Sequence, residues 1–163
     1  MRTKTTLNTL RGVWSATDMA EPTLFQKILS GKVPGNFVAR GSSWGAFLDV
    51  FPRSEGHTLV VPSNPVQRIS DLSKHELGEL FDGVKTTQAI LGAYFQSSDF
   101  TVLVHDGPLA GQEIPHVHVH VIPRLEGDGG KALPAMFPKS NPQNPPDFVG
   151  LSELCSRIKE ASI

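Results

Sequence analysis

Apolar and polar positions recur with two different periods along this chain, and the changes of period mark its elements. Leu24, Phe25, Ile28 and Leu29 return at helical spacing between Pro22, which can occupy a first helical turn, and Gly31, which can end one. Residues 36–40 and 44–50 read as two strands joined by the turn-prone Gly41-Ser42-Ser43. After the loop Arg53-Ser54-Glu55-Gly56, a third strand is predicted from His57 to Pro62. Ser73 followed by Glu76 is a capping box, and Leu77, Leu80, Phe81, Val84, Leu91 and Phe95 fall on one helical stripe behind it. That predicts a long helix whose stripe is core or a contact between subunits. Phe100 to Val104 is a fourth strand, ended by the turn His105-Asp106-Gly107-Pro108. The fifth is the most regular, because His116-Val117-His118-Val119-His120-Val121-Ile122-Pro123 alternates as a strand with one polar and one packed face does. Beyond Arg124 the glycines Gly127, Gly129 and Gly130 and the prolines Pro138, Pro142, Pro145 and Pro146 read as an extended linker. Leu151, Leu154 and Ile158 predict a final short helix packing back on the domain.

Composition narrows the picture without naming a function. A chain of 163 residues with 39% hydrophobic content fits one globular domain with its own core. The formal net charge of −1 leaves no basic surplus, so no nucleic-acid partner is expected and any anion binding must be local. One cysteine excludes an internal disulfide framework, and no apolar run approaches the ~20 residues of a membrane span, which points to a cytoplasmic protein without a membrane partner. The first 17 residues carry only Arg2, Lys4 and Arg11 as charges and are rich in Thr and Ser. Such a segment reads as a disordered tail or as a mitochondrial targeting sequence. The expected organisation is therefore a tail over 1–20, a domain over 21–126, and a linker with a helix over 127–163.

The candidate chemistry lies in the alternating stretch. A period of two puts His116, His118 and His120 on one side of a strand, successive rings roughly 6.6 Å apart at ~3.3 Å per residue. Imidazole titrates near neutrality, ligates metals and acts as acid, base or nucleophile. Three readings stay open from the residues alone: a reactive row, a zinc site completed by His57, His105 or Glu113, and three solvated histidines on an outer face. Asp49, ending an apolar strand, could cap a turn or accept the two hydroxyl protons of a ribose.

Gly107-Pro108-Leu109-Ala110-Gly111-Gln112, Pro115, and His116 to Arg124 resemble the histidine-triad (HIT) family of nucleotide hydrolases and transferases. Phe47-Leu48-Asp49-Val50 and Gly56-His57-Thr58-Leu59-Val60-Val61-Pro62 resemble the first half of that family, so the likeness runs from about Leu24 to Arg124. It implies an α+β fold, with an antiparallel sheet of about five strands, one long and one short helix, and pairing into a homodimer. It implies that His118 is the nucleophile on the α-phosphorus of a nucleotide, assisted by His57, His116 and His120. It further implies that Phe25, Ile28, Asp49, His105, Gly111, Gln112, Glu113 and Ile114 line the substrate, with no resident metal and no obligatory cofactor. A divalent cation can accompany a polyphosphate substrate.

The branch is mixed. Residues 106–112, 115–120 and Val66-Gln67-Arg68-Ile69-Ser70-Asp71-Leu72 are similar to the Fhit branch and related diadenosine tetraphosphate hydrolases. Leu24 to Val33 is instead similar to the Hint branch of nucleoside phosphoramidate hydrolases, whose zinc-holding cysteines are here Thr23 and Gln26. The expected function is hydrolysis of dinucleoside polyphosphates, the alternatives being phosphoramidate hydrolysis or nucleotide-binding signalling with incidental turnover. His105 and Glu113 depart from both branches. An acid at 113 repels phosphate unless His105 or another cation balances it.

Overall fold

The structure is a computed structural model and describes residues 21–131 and 147–160; the expected N-terminal tail and most of the proline-rich linker lie outside them. The chain forms two compact units, divided between Asp128 and Gly129. In the first, α1 (Leu24–Leu29) is followed by β1 (Phe37–Arg40), β2 (Trp44–Leu48) and β3 (Thr58–Pro62). The long helix α2 (Lys74–Phe95), β4 (Phe100–Leu103) and β5 (Val119–Pro123) complete it. The second unit contributes α3 (Phe148–Glu160). The class is α+β, as expected.

The five strands form one antiparallel sheet in the order β1-β2-β3-β5-β4. Strand alternation gives this sheet two apolar faces. Trp44 and Ala46 of β2, Val60 of β3 and Val119 and Val121 of β5 pack with Leu80, Val84 and Leu91 of α2. On the other face Phe47, Leu59 and Val61 pack with Phe25 and Ile28 of α1. Leu59 is paired with His120, so His120 shares the α1 face, away from the long helix. The stripe of α2 is core along Leu80, Val84, Thr87 and Leu91, whereas Phe81, expected on it, is exposed.

Both helices of the first unit are capped by side chains. In α2, Ser73 Oγ accepts from the Glu76 N–H while Glu76 accepts from the Ser73 N–H at 2.9 Å, which is the expected capping box. In α1 the cap is Thr23 rather than a turn begun at Pro22: Thr23 Oγ1 accepts from the Gln26 N–H at 3.1 Å, and Gln26 Oε1 accepts from the Thr23 N–H at 2.9 Å. Pro22 stands one residue outside the cap.

Two strand boundaries differ from expectation at the site. The ladder of β5 begins at Val119, not at His116, because the Val117 N–H leaves the sheet to bond Val66 O at 2.8 Å. β3 begins at Thr58, since His57 O and the Asp49 N–H close a loop at 2.9 Å just ahead of it.

Candidate active site

The alternation of residues 116–121 survives outside the ladder, but its polar side is not an open face. Val117, Val119 and Val121 are fully buried, and so is His116, while His118 keeps 6% of its surface exposed. The three imidazoles then meet different partners. His116 Nε2–H donates to Pro62 O at 2.8 Å, which leaves Nδ1 to accept from the Thr23 hydroxyl at 2.8 Å. Both ring nitrogens are spent on the scaffold. Burial holds His116 neutral, its pKa pushed down to about 4.

His118 has one nitrogen committed and one free. Its Nδ1–H donates to His116 O at 2.8 Å, and a carbonyl only accepts, so the neutral ring carries its lone pair on Nε2. Burial lowers its pKa, opposed by that hydrogen bond; His105 lowers it further, while Asp49 and Glu113 raise it. His105 and Glu113 therefore act with opposite sign on this ring. Phe25 meets His118 edge-on at 5.0 Å between ring centres, and His120 lies 5.0 Å away on another side.

A directional chain ends at His120. The Arg53 backbone N–H donates to His57 Nδ1 at 3.2 Å, so His57 carries its proton on Nε2 and shares it with His120 Nδ1 at 2.9 Å. His120 in turn presents Nε2–H, which is buried and has no partner among the described residues. Burial is the first cause of its pKa falling to about 3, reinforced by His118, His57, His105 and Arg53. His57 is lowered as well, chiefly by burial and against the pull of Asp49. The 3.6 Å approach of Asp49 Oδ2 to His57 Nδ1 is thus no ion pair, because that nitrogen is already an acceptor.

The glycine turn expected near the histidines is present. Gly107 has φ +115 and a Cβ there would fall on the Arg68 guanidinium; Gly111 has φ +92. His105 lies in this loop, Nδ1–H bonded to Ala110 O, its ring edge-on to His120 at 5.3 Å. The segment 66–69 staples the loop. Arg68 donates to Asp106 O at 2.8 Å, the Ile69 N–H to Asp106 Oδ1 at 3.2 Å, and Gln112 Nε2 to Gln67 O at 3.0 Å. Gln112 also accepts from the Gly107 N–H at 2.9 Å, so its buried amide braces the loop.

Of the expected substrate-lining residues, Phe25 and Ile28 are buried in the α1 cluster, with Ile114 packed against it. Asp49 is half-buried beside His57, and Glu113 is exposed. Among the described residues, the donor group able to hold a metal is Asp49, His57 and His120, which includes His57 of the completing ligands considered from sequence but neither His105 nor Glu113, and adds Asp49. Both nitrogens of His57 are already engaged, by the Arg53 N–H and by His120, so an ion there would displace one of those hydrogen bonds. Sequence reasoning missed Thr23, Arg53 and the carbonyls of Pro62, Ala110 and His116. Two of them left a trace in the sequence, Arg53 as the lone cation between Asp49 and His57 and Thr23 through its likeness to a zinc-ligand position of the Hint branch, but neither trace pointed to its role here.

A HIT domain model matches residues 30–127. Over 137 residues the chain is 32% identical to the adenosine 5′-monophosphoramidase of Schizosaccharomyces pombe, covering 83% of this chain and 98% of that protein. It is 42% identical over 83 residues to the asymmetrical bis(5′-nucleosyl)-tetraphosphatase of the same organism, covering 51% of this chain and only 46% of that protein. The crystal structure of a HIT family protein from Bacillus anthracis superposes with a TM-score of 0.71 at 30% identity, over 86% of this chain and 97% of that one. With the five-stranded antiparallel sheet, the histidines on its α1 face and a family match spanning all of β1 to β5, the chain belongs to the HIT domain family.

Proposed function

We propose that this chain is a nucleotide hydrolase that cleaves dinucleoside polyphosphates at the α-phosphorus through a nucleotidyl-histidine on His118. One observation carries the reading. His118 is held by its Nδ1–H so that a buried, neutral ring offers the Nε2 lone pair, and next to it His120 offers an unpartnered N–H. In the first step Nε2 forms a bond to phosphorus as the bond to the leaving phosphate oxygen breaks, and His116 O, already bonded to Nδ1–H, stabilises the cationic ring so formed. In the second, water attacks phosphorus and gives up a proton to solvent, the P–N bond breaks with its electron pair returning to Nε2, and the nucleoside monophosphate leaves with neutral His118 restored. His120 Nε2–H supports the phosphoryl oxygens, with His57 relaying from behind; His116 positions His118 through its carbonyl rather than touching substrate. Phe25, Ile28 and Ile114 border the base, Asp49 holds the ribose, and Gly111, Gln112, His105 and Glu113 lie along the phosphates.

Phosphoramidate hydrolysis is the second reading, favoured by a match that covers nearly the whole of the phosphoramidase relative. The activity belongs to residues 21–126, with 127–163 as an appendage, in a homodimer whose mass in solution checks the pairing. No metal is obligatory, and a divalent cation serves only to accompany a polyphosphate. The test compares diadenosine triphosphate, diadenosine tetraphosphate and an adenosine phosphoramidate, with and without chelator, for wild type and His118→Asn. The variant should fold and lose several orders of magnitude in turnover, and α-labelled substrate should mark the wild type alone. Label on another residue, or a variant with substantial activity, would refute the mechanism; turnover abolished by chelator on the phosphoramidate would shift the reading to a metal enzyme.

A further inference from the structure

Arg53 takes no part in the chemistry just described, yet the loop that carries it is built into the site. Its backbone N–H sets the direction of the His57–His120 hydrogen-bond chain, so the residue is anchored two hydrogen bonds from the unpartnered His120 Nε2. Its guanidinium is exposed and, among the described residues, makes neither a hydrogen bond nor an ion pair. The charge of Arg53 weighs against protonation of both His57 and His120, which places that charge within electrostatic reach of the two rings. From the other loop, His105 packs edge-on against His120 with its Nδ1–H tied to Ala110 O, leaving Nε2 unclaimed. Two buried side-chain polar atoms lack partners among the described residues, and they are His120 Nε2 and Ser54 Oγ, the latter next to Arg53 in the chain. An N–H without a partner and the Arg53 charge thus lie near His120, alongside two acceptors, the Asp49 carboxylate and the lone pair on His105 Nε2. Glu113, exposed near His118, opposes an anion on that side.

We propose that Arg53, with His105 as a second wall, forms the subsite for the leaving group, and that the group it selects is a chain of phosphates. The inference rests on the nucleotide-hydrolase reading above and deepens it. A guanidinium binds phosphate oxygens with two charge-assisted hydrogen bonds, whereas an amine leaving group gives it nothing to bind. Arg53 is then a specificity residue, separating polyphosphate from phosphoramidate substrates.

The experiment measures kcat/KM for diadenosine tetraphosphate and for an adenosine phosphoramidate in wild type, Arg53→Gln and Arg53→Lys, and titrates inorganic tripolyphosphate into each protein by calorimetry. Arg53→Gln should lower kcat/KM for the tetraphosphate by about tenfold more than for the phosphoramidate, and weaken tripolyphosphate binding by a similar factor, the usual weight of a charge-assisted contact. Arg53→Lys should recover most of both. The proposal falls if the ratio between substrates stays unchanged, or if tripolyphosphate binding to wild type is absent or indifferent to Arg53→Gln. Should wild type turn over neither nucleotide, the hydrolase reading fails by itself. Tripolyphosphate binding then decides the subsite alone: weakening in Arg53→Gln upholds it and no change overturns it.

Discussion

Asp49 uses its two carboxylate oxygens differently. Oδ1 accepts from the Phe51 N–H at 2.9 Å and closes the turn after β2, while Oδ2 faces His57 at 3.6 Å and remains available. The two meanings that the sequence left open for this residue are therefore compatible. Asp49→Asn should separate them, because the amide oxygen can still accept from Phe51 but the charge is gone. Its melting temperature should stay close to wild type. Nucleotide affinity should fall by something like 10- to 100-fold, the weight of hydrogen bonds to a charged group, with less discrimination against 2′,3′-dideoxy analogues. Because such binding is nearly uniform between ground and transition states, the loss should appear in KM rather than kcat. A variant that melts early but keeps full ribose discrimination would show that Asp49 only shapes the turn.

At the scale of elements, a six-residue helix carries part of the proposed nucleotide-binding wall and is tied to the histidine row by one hydroxyl. Thr23 caps α1 and donates to His116 Nδ1, so the helix start and the histidine share an atom. Six residues form fewer than two turns, too few to be stable without tertiary support. Thr23→Ala should cost about 1–2 kcal/mol from the lost cap alone and lower the melting temperature by several degrees. It should also raise KM, since Phe25 and Ile28 sit on the loosened helix; Thr23→Ser should behave like wild type. Thermal denaturation of the three proteins checks this, and an unaltered melting temperature in Thr23→Ala would remove Thr23 from the account. The resemblance to the Hint branch set Thr23 and Gln26 where those relatives carry zinc-holding cysteines. That the same pair forms a capping box required knowing where the helix starts.

For the whole molecule the buried histidines make stability depend on pH. His116 titrates near 6.5 when unfolded and at about 4 when folded, so between those values the unfolded chain binds the extra proton. Stability is full above 6.5 and falls as pH drops towards 4. This group alone can account for up to about 3 kcal/mol, and His120, lowered to about 3, extends the loss to more acid solution. Urea unfolding at pH 7, 6, 5 and 4 should show the decline, with a shallower slope in His116→Gln. Equal slopes in the two proteins would mean that His116 does not carry it.

Local pattern alone determined much of this protein. Strict alternation at 116–121 and the stripe behind Ser73 and Glu76 report which side chains must be buried, and burial is encoded residue by residue in polarity and spacing. The family motif is local too, since Asp49, His57 and the histidine row stand at characteristic separations along the chain. The roles of the three histidines were not legible, because a ring's tautomer depends on what meets each nitrogen. Those partners are the carbonyls of Pro62 and His116, the hydroxyl of Thr23 and, through His57, the backbone N–H of Arg53. Main-chain groups are identical in every residue and leave no mark in a sequence. Only the folded sheet, with α1 and the two loops laid against its second face, decided that His116 is scaffold, His118 holds a free lone pair and His120 ends in an unpartnered N–H.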